Sequence, residues 1–460
     1  MLPLASLCLE SRIAGFRNIF IMPPPFARET GQIDGAGARL SIFSLRLSVG
    51  YDTIRAMKTI KRTALATVKS LSKQFPALLV DGARQVGKTT LLRDAAEASR
   101  RFVTLDDPDI RTLARRDPAL FLQAYPPPVI IDEMQYAPQI LPLVKMAIDK
   151  NPNVCGQFWL TGSQKFHLMH DVGESLAGRI AIIDLAGISQ GEELGRSDDD
   201  IFGVPGALPE NNTFDGMKNI YRRIHRGGYP ALVSGRVKDW ESFYRSYVRT
   251  YIERDVHDLV RVTDEERFLM FLKAAAARTG QLLNLSELAR DVGIGTSTAR
   301  DWMGVLGSSG IVNLLKPYSR NVTSRIVKTP KLYFADTGLC CYLTGWTSPE
   351  TLSAGAMAGA MLETYVVGEL FKRYGNVGRE PRLWFFRDKI GCEIDVLVER
   401  DGVFEPIEIK KTASPRQSDV RAFRKVAKLG VPLSKGAILC LAERALPLAQ
   451  DIMIIPIGAL

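Results

Sequence analysis

The residues whose types and spacing point most directly to chemistry lie in Asp81-Gly-Ala-Arg-Gln-Val-Gly-Lys-Thr-Thr90. From Gly82 through Ala83, Arg84, Gln85, Val86, Gly87 and Lys88 to Thr89 the spacing is G-x-x-x-x-G-K-T, with Thr90 directly after. Two glycines let such a loop curl until its backbone N–H groups face inward. The helix that follows turns its positive dipole end to the same point, which makes a nest for a triphosphate. Lys88 is expected to reach the outer phosphates and the Thr89 hydroxyl to hold Mg²⁺. A second stretch, Val129-Ile-Ile-Asp132-Glu133, ends an apolar run in two acids. Asp132 is the expected partner of the Mg²⁺ shell, and Glu133 the expected general base that polarises the attacking water. Gln157-Phe-Trp-Leu-Thr161-Gly-Ser163 ends in hydroxyls, and Ser163, with Thr161 second, is the candidate sensor of the γ-phosphate. Arg179, closing Ser175-Leu-Ala-Gly-Arg179, is the candidate arginine finger, in cis or from a neighbouring copy. Acids ending one strand and hydroxyls ending the next favour ATP hydrolysis over a kinase or a GTPase.

A third chemical stretch lies near the C-terminus. Glu393-Ile-Asp395-Val-Leu-Val398 reads as a strand, Asp401-Gly402 as a hairpin turn and Pro406-Ile-Glu408-Ile-Lys410 as the partner strand. Glu408 and Lys410 are two apart and share a face. An acid, a hairpin and then E-x-K is the arrangement of a metal-dependent nuclease. Asp395 and Glu408 are expected to ligate Mg²⁺ or Mn²⁺ and Lys410 to position or activate the water. Glu363, from Leu362 to Tyr374, which reads as an amphipathic helix, is a further candidate carboxylate.

The elements that must position these residues follow from periodicity. Ala77-Leu-Leu-Val80 reads as a buried strand before the phosphate loop, and Leu91-Leu92 with Ala95, Ala96 and Ala98 as the helix after it. Acids at the end of Val129–Asp132 belong at the carboxyl edge of a parallel sheet, beside that loop. Trp240 to Val262 reads as a helix whose Tyr244, Tyr247, Val248, Tyr251 and Ile252 form an aromatic core stripe. Leu285 to Leu306 reads as a helix-turn-helix, with Ala299, Trp302, Met303 and Leu306 buried and Arg300 facing out; Ile311 to Leu315 starts a wing.

At 460 residues the chain implies about three domains. Its 60 Lys and Arg exceed 50 Asp and Glu, for a net charge of +10, which permits nucleic-acid contact. Six scattered cysteines without a C-x-x-C pair read as reduced thiols rather than as a disulfide frame or zinc site. His167 and His170 lack further clustered ligands and read as surface or core. No apolar run is long enough to span a bilayer. Residues 1–56 carry Pro23-Pro24-Pro25 and scattered glycines and read as a weakly ordered extension, with the natural start expected at Met57.

Taken together, the strings Gly82–Thr90, Asp132-Glu-Met-Gln135, Leu160-Thr-Gly-Ser163, Ser175–Arg179, Gly227-Gly-Tyr-Pro230, Tyr251-Ile-Glu-Arg-Asp255, Tyr333-Phe-Ala-Asp-Thr-Gly-Leu339, Gly391-Cys-Glu-Ile-Asp395 and Pro406–Lys410 carry a resemblance. Over residues 57–460 the chain resembles bacterial AAA-type P-loop ATPases with a C-terminal domain of unknown function of restriction-endonuclease-like fold. The resemblance implies an ATPase core, a winged-helix middle and a nuclease-like end.

The expected fold class is α/β. The expected order is an extension (1–56), a P-loop core with helices on both faces of a parallel sheet (57–186) and a helical linker or lid (187–265). A winged helix-turn-helix (266–330) and a nuclease-like α/β domain (331–460) complete it. The expected function is a cytoplasmic, Mg²⁺-dependent ATPase switch or motor whose partners are ATP, DNA and further copies of itself. The alternative is a signalling or scaffold ATPase whose C-terminal domains bind a protein partner and do not cleave nucleic acid.

Overall fold

The structure, a computed structural model, describes residues 60–162, 175–196, 214–251, 264–319, 329–388 and 390–460. The expectations for the 1–56 extension, Ser163, His167, His170, Ile252 and the string that follows it fall outside the described residues.

The first half is built on five parallel strands: β1 (Ala77–Asp81), β2 (Arg101–Thr104), β3 (Val129–Asp132), β4 (Phe158–Thr161) and β5 (Ile180–Asp184), in the order β2-β3-β4-β1-β5. Every residue of β1, β3 and β4 is buried, as apolar strands covered on both faces should be. Side-chain alternation divides them between two cores. Leu78 and Val80 join α1 (Ala64–Ser72) and α2 (Lys88–Ala95) on one face. Ala77 and Leu79 join α3 (Pro108–Arg116), α4 (Pro118–Ala124) and α5 (Leu141–Lys150) on the other. Because β4 lies between β1 and β3, the ends of all three meet at one edge.

The middle of the chain is mostly helical: α6 (Gln190–Leu194), α7 (Met217–Arg226), α8 (Pro230–Val233) and α9 (Trp240–Tyr251). Tyr244, Tyr247, Val248 and Tyr251 of α9 are buried, as the stripe predicted. After them come α10 (Glu265–Ala276), β6 (Gln281–Leu282), α11 (Leu285–Val292), α12 (Thr296–Ser308), β7 (Val312–Pro317) and β8 (Lys331–Phe334). Asn284 caps α11 by accepting from the Glu287 N–H, and Gly293, at φ 72°, closes it. Trp302 on α12 meets Phe268 and Phe271 of α10 edge-on at 5.2 and 5.5 Å.

The C-terminal part contains α13 (Thr337–Leu343), α14 (Pro349–Ala354), α15 (Ala358–Asn376), β9 (Leu383–Arg387), β10 (Glu393–Arg400), β11 (Val403–Lys410), α16 (Arg421–Lys428), β12 (Gly436–Cys440), β13 (Leu446–Ala449) and β14 (Ile452–Pro456). Strands β9, β10 and β11 are antiparallel neighbours, and β11, β12 and β14 run parallel.

Two sequence expectations change here. The boundary at 330/331 separates β7 from β8, yet these strands pair antiparallel, and β7 also pairs parallel with β9 through Lys316 and Trp384. The middle and last regions therefore share one nine-stranded sheet, β13-β14-β12-β11-β10-β9-β7-β8-β6. The helix read from Leu362 to Tyr374 runs from Ala358 to Asn376 and is buried around most of its circumference. It packs against α1 and β5 as well as β8 and β11, so it has no broad solvent face to make it amphipathic. Among the described residues, no helix is long and apolar enough to cross a membrane.

Candidate functional site

The phosphate loop leaves the end of β1 against β5. Gly82 has φ 147°, and a Cβ there would stand 2.0 Å from the Leu185 carbonyl oxygen, so only glycine fits. Gln85 and Gly87 also take positive φ, 62° and 97°, before α2 begins. Left-handed residues ahead of a helix N-terminus form the inward curl that an anion needs. Lys88 is buried, and its Nζ donates to the carbonyls of Gly82 (2.8 Å) and Ala83 (2.9 Å). Burial pushes its pKa below the ordinary lysine value, against the pull of Glu133, Asp81 and Asp132. Phosphate oxygens offer this ammonium stronger, charged acceptors at the same loop.

Asp132 gathers the hydroxyls. Its Oδ1 accepts from Thr89 Oγ1 at 2.7 Å and from Thr161 Oγ1 at 2.8 Å, and its Oδ2 from Thr104 Oγ1 at 3.4 Å. A carboxylate and hydroxyl in contact are the hard oxygen donors that Mg²⁺ takes, so Thr89 and Asp132 fit the role predicted for them. The Glu133 N–H donates to Thr161 Oγ1 at 2.9 Å, and its backbone is left-handed at φ 58°, ψ 48°. That sparsely populated conformation is the kind retained at working sites, where surrounding contacts hold it. The Glu133 carboxylate is also hydrogen-bonded by the Gln135 amide. Thr161, the second sensor candidate, thus ties together both acids of the site.

Arg179 is placed elsewhere. It immediately precedes β5, and its carbonyl accepts from the N–H of Ala77, at the start of β1. The phosphate loop lies beyond the other end of β1, five residues or about 17 Å away at ~3.4 Å per residue. The Arg179 Nε is 2.7 Å from Asp149. A cis arginine finger is therefore not what this arginine forms.

Residues that sequence reading passed over bear on the loop. Arg62, at the base of α1 and inside a basic run, reads as a surface charge but is buried. It donates to Val86 O in the loop (2.8 Å), to Ala186 O after β5 (2.8 Å) and to Glu192 Oε1 (3.0 Å). Glu192 closes a capping box with Ser189 at the start of α6. Gln190, which follows Ser189, donates its backbone N–H to the Glu369 carboxylate of α15 (2.7 Å) and its side-chain amide to the backbone oxygens of Ile457 and Leu460. A Cβ on Gly310 would stand 3.5 Å from Ala83 Cβ, so the turn after α12 lies on the phosphate loop. Only a contact pattern across long stretches of chain reveals these residues.

The C-terminal candidates do come together, with an addition. Asp395 Oδ2 accepts from the Ile409 N–H at 2.8 Å, and Lys410 Nζ lies 2.5 Å from Glu408 Oε1. Glu363, on α15, accepts from the Tyr333 hydroxyl at 2.6 Å and from Lys331 Nζ at 2.9 Å. Lys331 Nζ is also 2.5 Å from Glu393 Oε1 and 3.9 Å from Asp395 Oδ1. The expected set of Asp395, Glu408 and Glu363 converging on a metal ion is thus altered, because a lysine ammonium stands among the acids. Among the described residues no group of three or more such side chains forms a metal-binding set. Burial, then the charges of Glu408 and Glu363, raises the Asp395 pKa well above the carboxylate range, and burial likewise raises that of Glu408. Burial alone would lower the Lys331 pKa, but Glu363, Asp395 and Glu393 outweigh it and raise it.

Residues 74–194 match a family model described as an AAA domain. Residues 217–350 and 358–460 match models described as domains of unknown function, DUF8612 and DUF4143. The chain is similar to Rv2008c of Mycobacterium tuberculosis and Mb2031c of Mycobacterium bovis, each 28% identical over 407 residues, which cover 88% of this chain and 85% of the relative. Among solved structures, a Walker-type ATPase of Pyrococcus abyssi is 18% identical, with 61% of this chain and 94% of that chain covered and a TM-score of 0.38. RuvB of Thermotoga maritima is 17% identical, with 54% and 85% covered and a TM-score of 0.26. Residues 74–194, with their parallel sheet, phosphate loop and acid-tipped β3, are an ATPase domain of the P-loop AAA type, followed at the other end of the chain by a DUF4143 domain.

Proposed function

We propose that this protein is a Mg²⁺-dependent ATPase acting as a nucleotide-driven switch or motor, associated with DNA through its C-terminal half. The observation that carries the ATPase reading is the joining of Thr89, Asp132, Thr161 and Glu133 by direct hydrogen bonds at the mouth of the phosphate loop. Lys88 and the loop N–H groups hold the phosphates, Thr89 and Asp132 hold the metal, and Glu133 orients the attacking water. The switch reading rests on what touches the loop. Arg62 holds Val86, and the turn at Gly310 lies on Ala83, so a loop reshaped by nucleotide acts on both. An arginine finger from Arg179 requires a second copy of the chain.

The DNA reading rests on the order α10, β6, α11, α12, β7, β8, which we interpret as a winged helix. Its second helix-turn-helix element exposes Thr296, Ser297 and Arg300 near its start. The α15, β9, β10, β11 succession, with Glu363, Asp395, Glu408 and Lys410 side by side, supports a restriction-endonuclease-like reading of the last region. The described cysteines of the chain, Cys155, Cys340, Cys341, Cys392 and Cys440, are all free, which suits a reducing cytoplasm.

A second reading is favoured by the ammonium of Lys331 among the C-terminal acids. In it the protein is a signalling or scaffold ATPase whose C-terminal half binds protein without cutting nucleic acid. ATP turnover with and without duplex DNA at two salt concentrations separates the two. The DNA reading expects stimulation that fades as salt rises, because phosphate contacts release counterions. Turnover unchanged by DNA at low salt sinks it in favour of the scaffold reading.

A further inference from the structure

The acid cluster of the C-terminal region is supplied by three strands and a helix. Glu363 comes from α15, Glu393 and Asp395 from β10, Glu408 and Lys410 from β11, and Lys331 and Tyr333 from β8. In the sheet order β10-β9-β7-β8 two strands separate Lys331 from the acids of β10, and the long side chains span them. Lys331 is 3% exposed and lies 5.5 Å from the centre of the Phe385 ring. Such burial strips an ammonium of water, and only close carboxylates make it tolerable. Lys331 has these in Glu363, Glu393 and Asp395. Arg387 Nη1 also approaches Glu393, at 3.4 Å, and Lys410 pairs with Glu408 Oε1. One oxygen is left over: Glu408 Oε2 is buried and has no hydrogen-bond partner among the described residues. The cluster therefore sets four acids, the half-buried Glu363, Glu393 and Asp395 and the buried Glu408, against Lys331, Lys410 and Arg387, and it holds a buried oxygen that no donor among the described residues serves. Both features suit a cation.

We infer that Lys331 is the resident cation of this cluster and competes with a divalent metal ion for it. Its ammonium engages Glu363 and Glu393, withdrawing Glu363 from the ligand set that a metal on Asp395 and Glu408 would otherwise draw on. On Asp395 and Glu408 the oxygens open to a metal ion in the wild-type chain are Glu408 Oε2 and Asp395 Oδ1, with a positive charge 3.9 Å from the latter. Metal entry must displace that charge or tolerate its repulsion. The native chain is consequently poorly disposed to metal-dependent cleavage by this cluster, while a single neutral substitution converts it into an oxygen-rich divalent site. The inference goes beyond the ATPase reading and does not depend on it.

The test is Mn²⁺ binding to the full chain without nucleotide, followed by electron paramagnetic resonance and by the shift of Tm. Lys331→Met is expected to bind Mn²⁺ at least about tenfold more tightly than wild type and to gain a Mn²⁺-dependent rise in Tm. That is a modest part of what removing a unit charge ~4 Å away produces at an effective dielectric of about 20. Lys331→Arg, which keeps the charge, should bind as wild type does. Adding Asp395→Asn to Lys331→Met should remove the gain, which places it in this cluster and not at the phosphate loop. Recovery of folded Lys331→Met only in the presence of Mn²⁺ also supports the inference; if the variant never folds, Lys331→Gln is read in the same way. Equal Mn²⁺ affinity in wild type and the neutral variants, whether tight or absent, overturns it. So does tight binding by wild type that Asp395→Asn abolishes, a measurement that needs no Lys331 variant. ATP turnover does not enter these readouts, so failure here and failure of the ATPase reading are distinguishable.

Discussion

Asp132 accepts two hydroxyl donors on one carboxylate oxygen, and one of those hydroxyls also receives the Glu133 N–H. Catalytic positioning at this site is therefore a matter of a few ångströms around Thr161, which is wholly buried. In the proposed mechanism Glu133 contributes its carboxylate to the water and little to the phosphate cradle. Glu133→Gln is accordingly expected to bind ATP with near-normal affinity and to slow hydrolysis by about 10²–10⁴-fold, the usual worth of a general base. Lys88→Ala is expected to do the reverse in kind, weakening triphosphate binding itself. Equilibrium nucleotide binding and single-turnover hydrolysis, measured on the same preparations, separate the two effects. Near-normal turnover in Glu133→Gln would remove that residue from the role of base.

At the scale of elements, the phosphate loop is braced from outside by Arg62. The guanidinium fork joins α1, the loop and the segment after β5, while Glu192 ties it to the cap of α6. Both side chains are nearly inaccessible, at 8% and 0% exposure. Removing one member leaves a buried charge without its partner, at a cost of roughly 3–5 kcal/mol. Arg62→Met should therefore lower Tm substantially and raise KM for ATP more than it lowers kcat, because Val86 loses its anchor while the Asp132 cluster remains. Arg62→Lys should recover only part of the loss, since an ammonium cannot reproduce the planar fork. An unchanged KM with reduced Tm would confine Arg62 to a structural role.

At the scale of the whole molecule, α15 is shared. It packs on α1 and β5 of the ATPase region and on β8 and β11 of the last sheet, and residues of all three regions enter one hydrophobic core. Gly375 sits so close to β5 that a Cβ would stand 2.3 Å from the Asp184 carbonyl oxygen. A chain of this length usually unfolds domain by domain. Here the described regions are expected to unfold together, in one calorimetric transition that ATP with Mg²⁺ moves upward as a unit. Two resolved transitions, with only one responding to nucleotide, would show that the shared helix does not couple the halves.

The nucleotide chemistry was legible in the sequence because it is contiguous. A phosphate loop works through backbone geometry that two glycines, a lysine and a threonine impose locally, and an acid pair at the end of an apolar strand needs only the strand to place it. The hairpin bearing Asp395, Glu408 and Lys410 was legible for the same reason, since its register follows from a short turn. What the tertiary structure decided is which distant side chains enter these sites. Arg62 reads as a surface charge until the packing of α1 turns it onto Val86. Lys331 reads as one more strand lysine until the pairing of β7 with both β8 and β9 brings it among acids more than sixty residues further along in the case of Glu393 and Asp395. Arg179 carries an attractive motif, but the parallel register of β5 with β1 puts it at the wrong end of the sheet. Local pattern specifies strands, turns and caps through short-range sterics and burial. It carries no term for the register between strands far apart in the chain, and that register determines which charges meet.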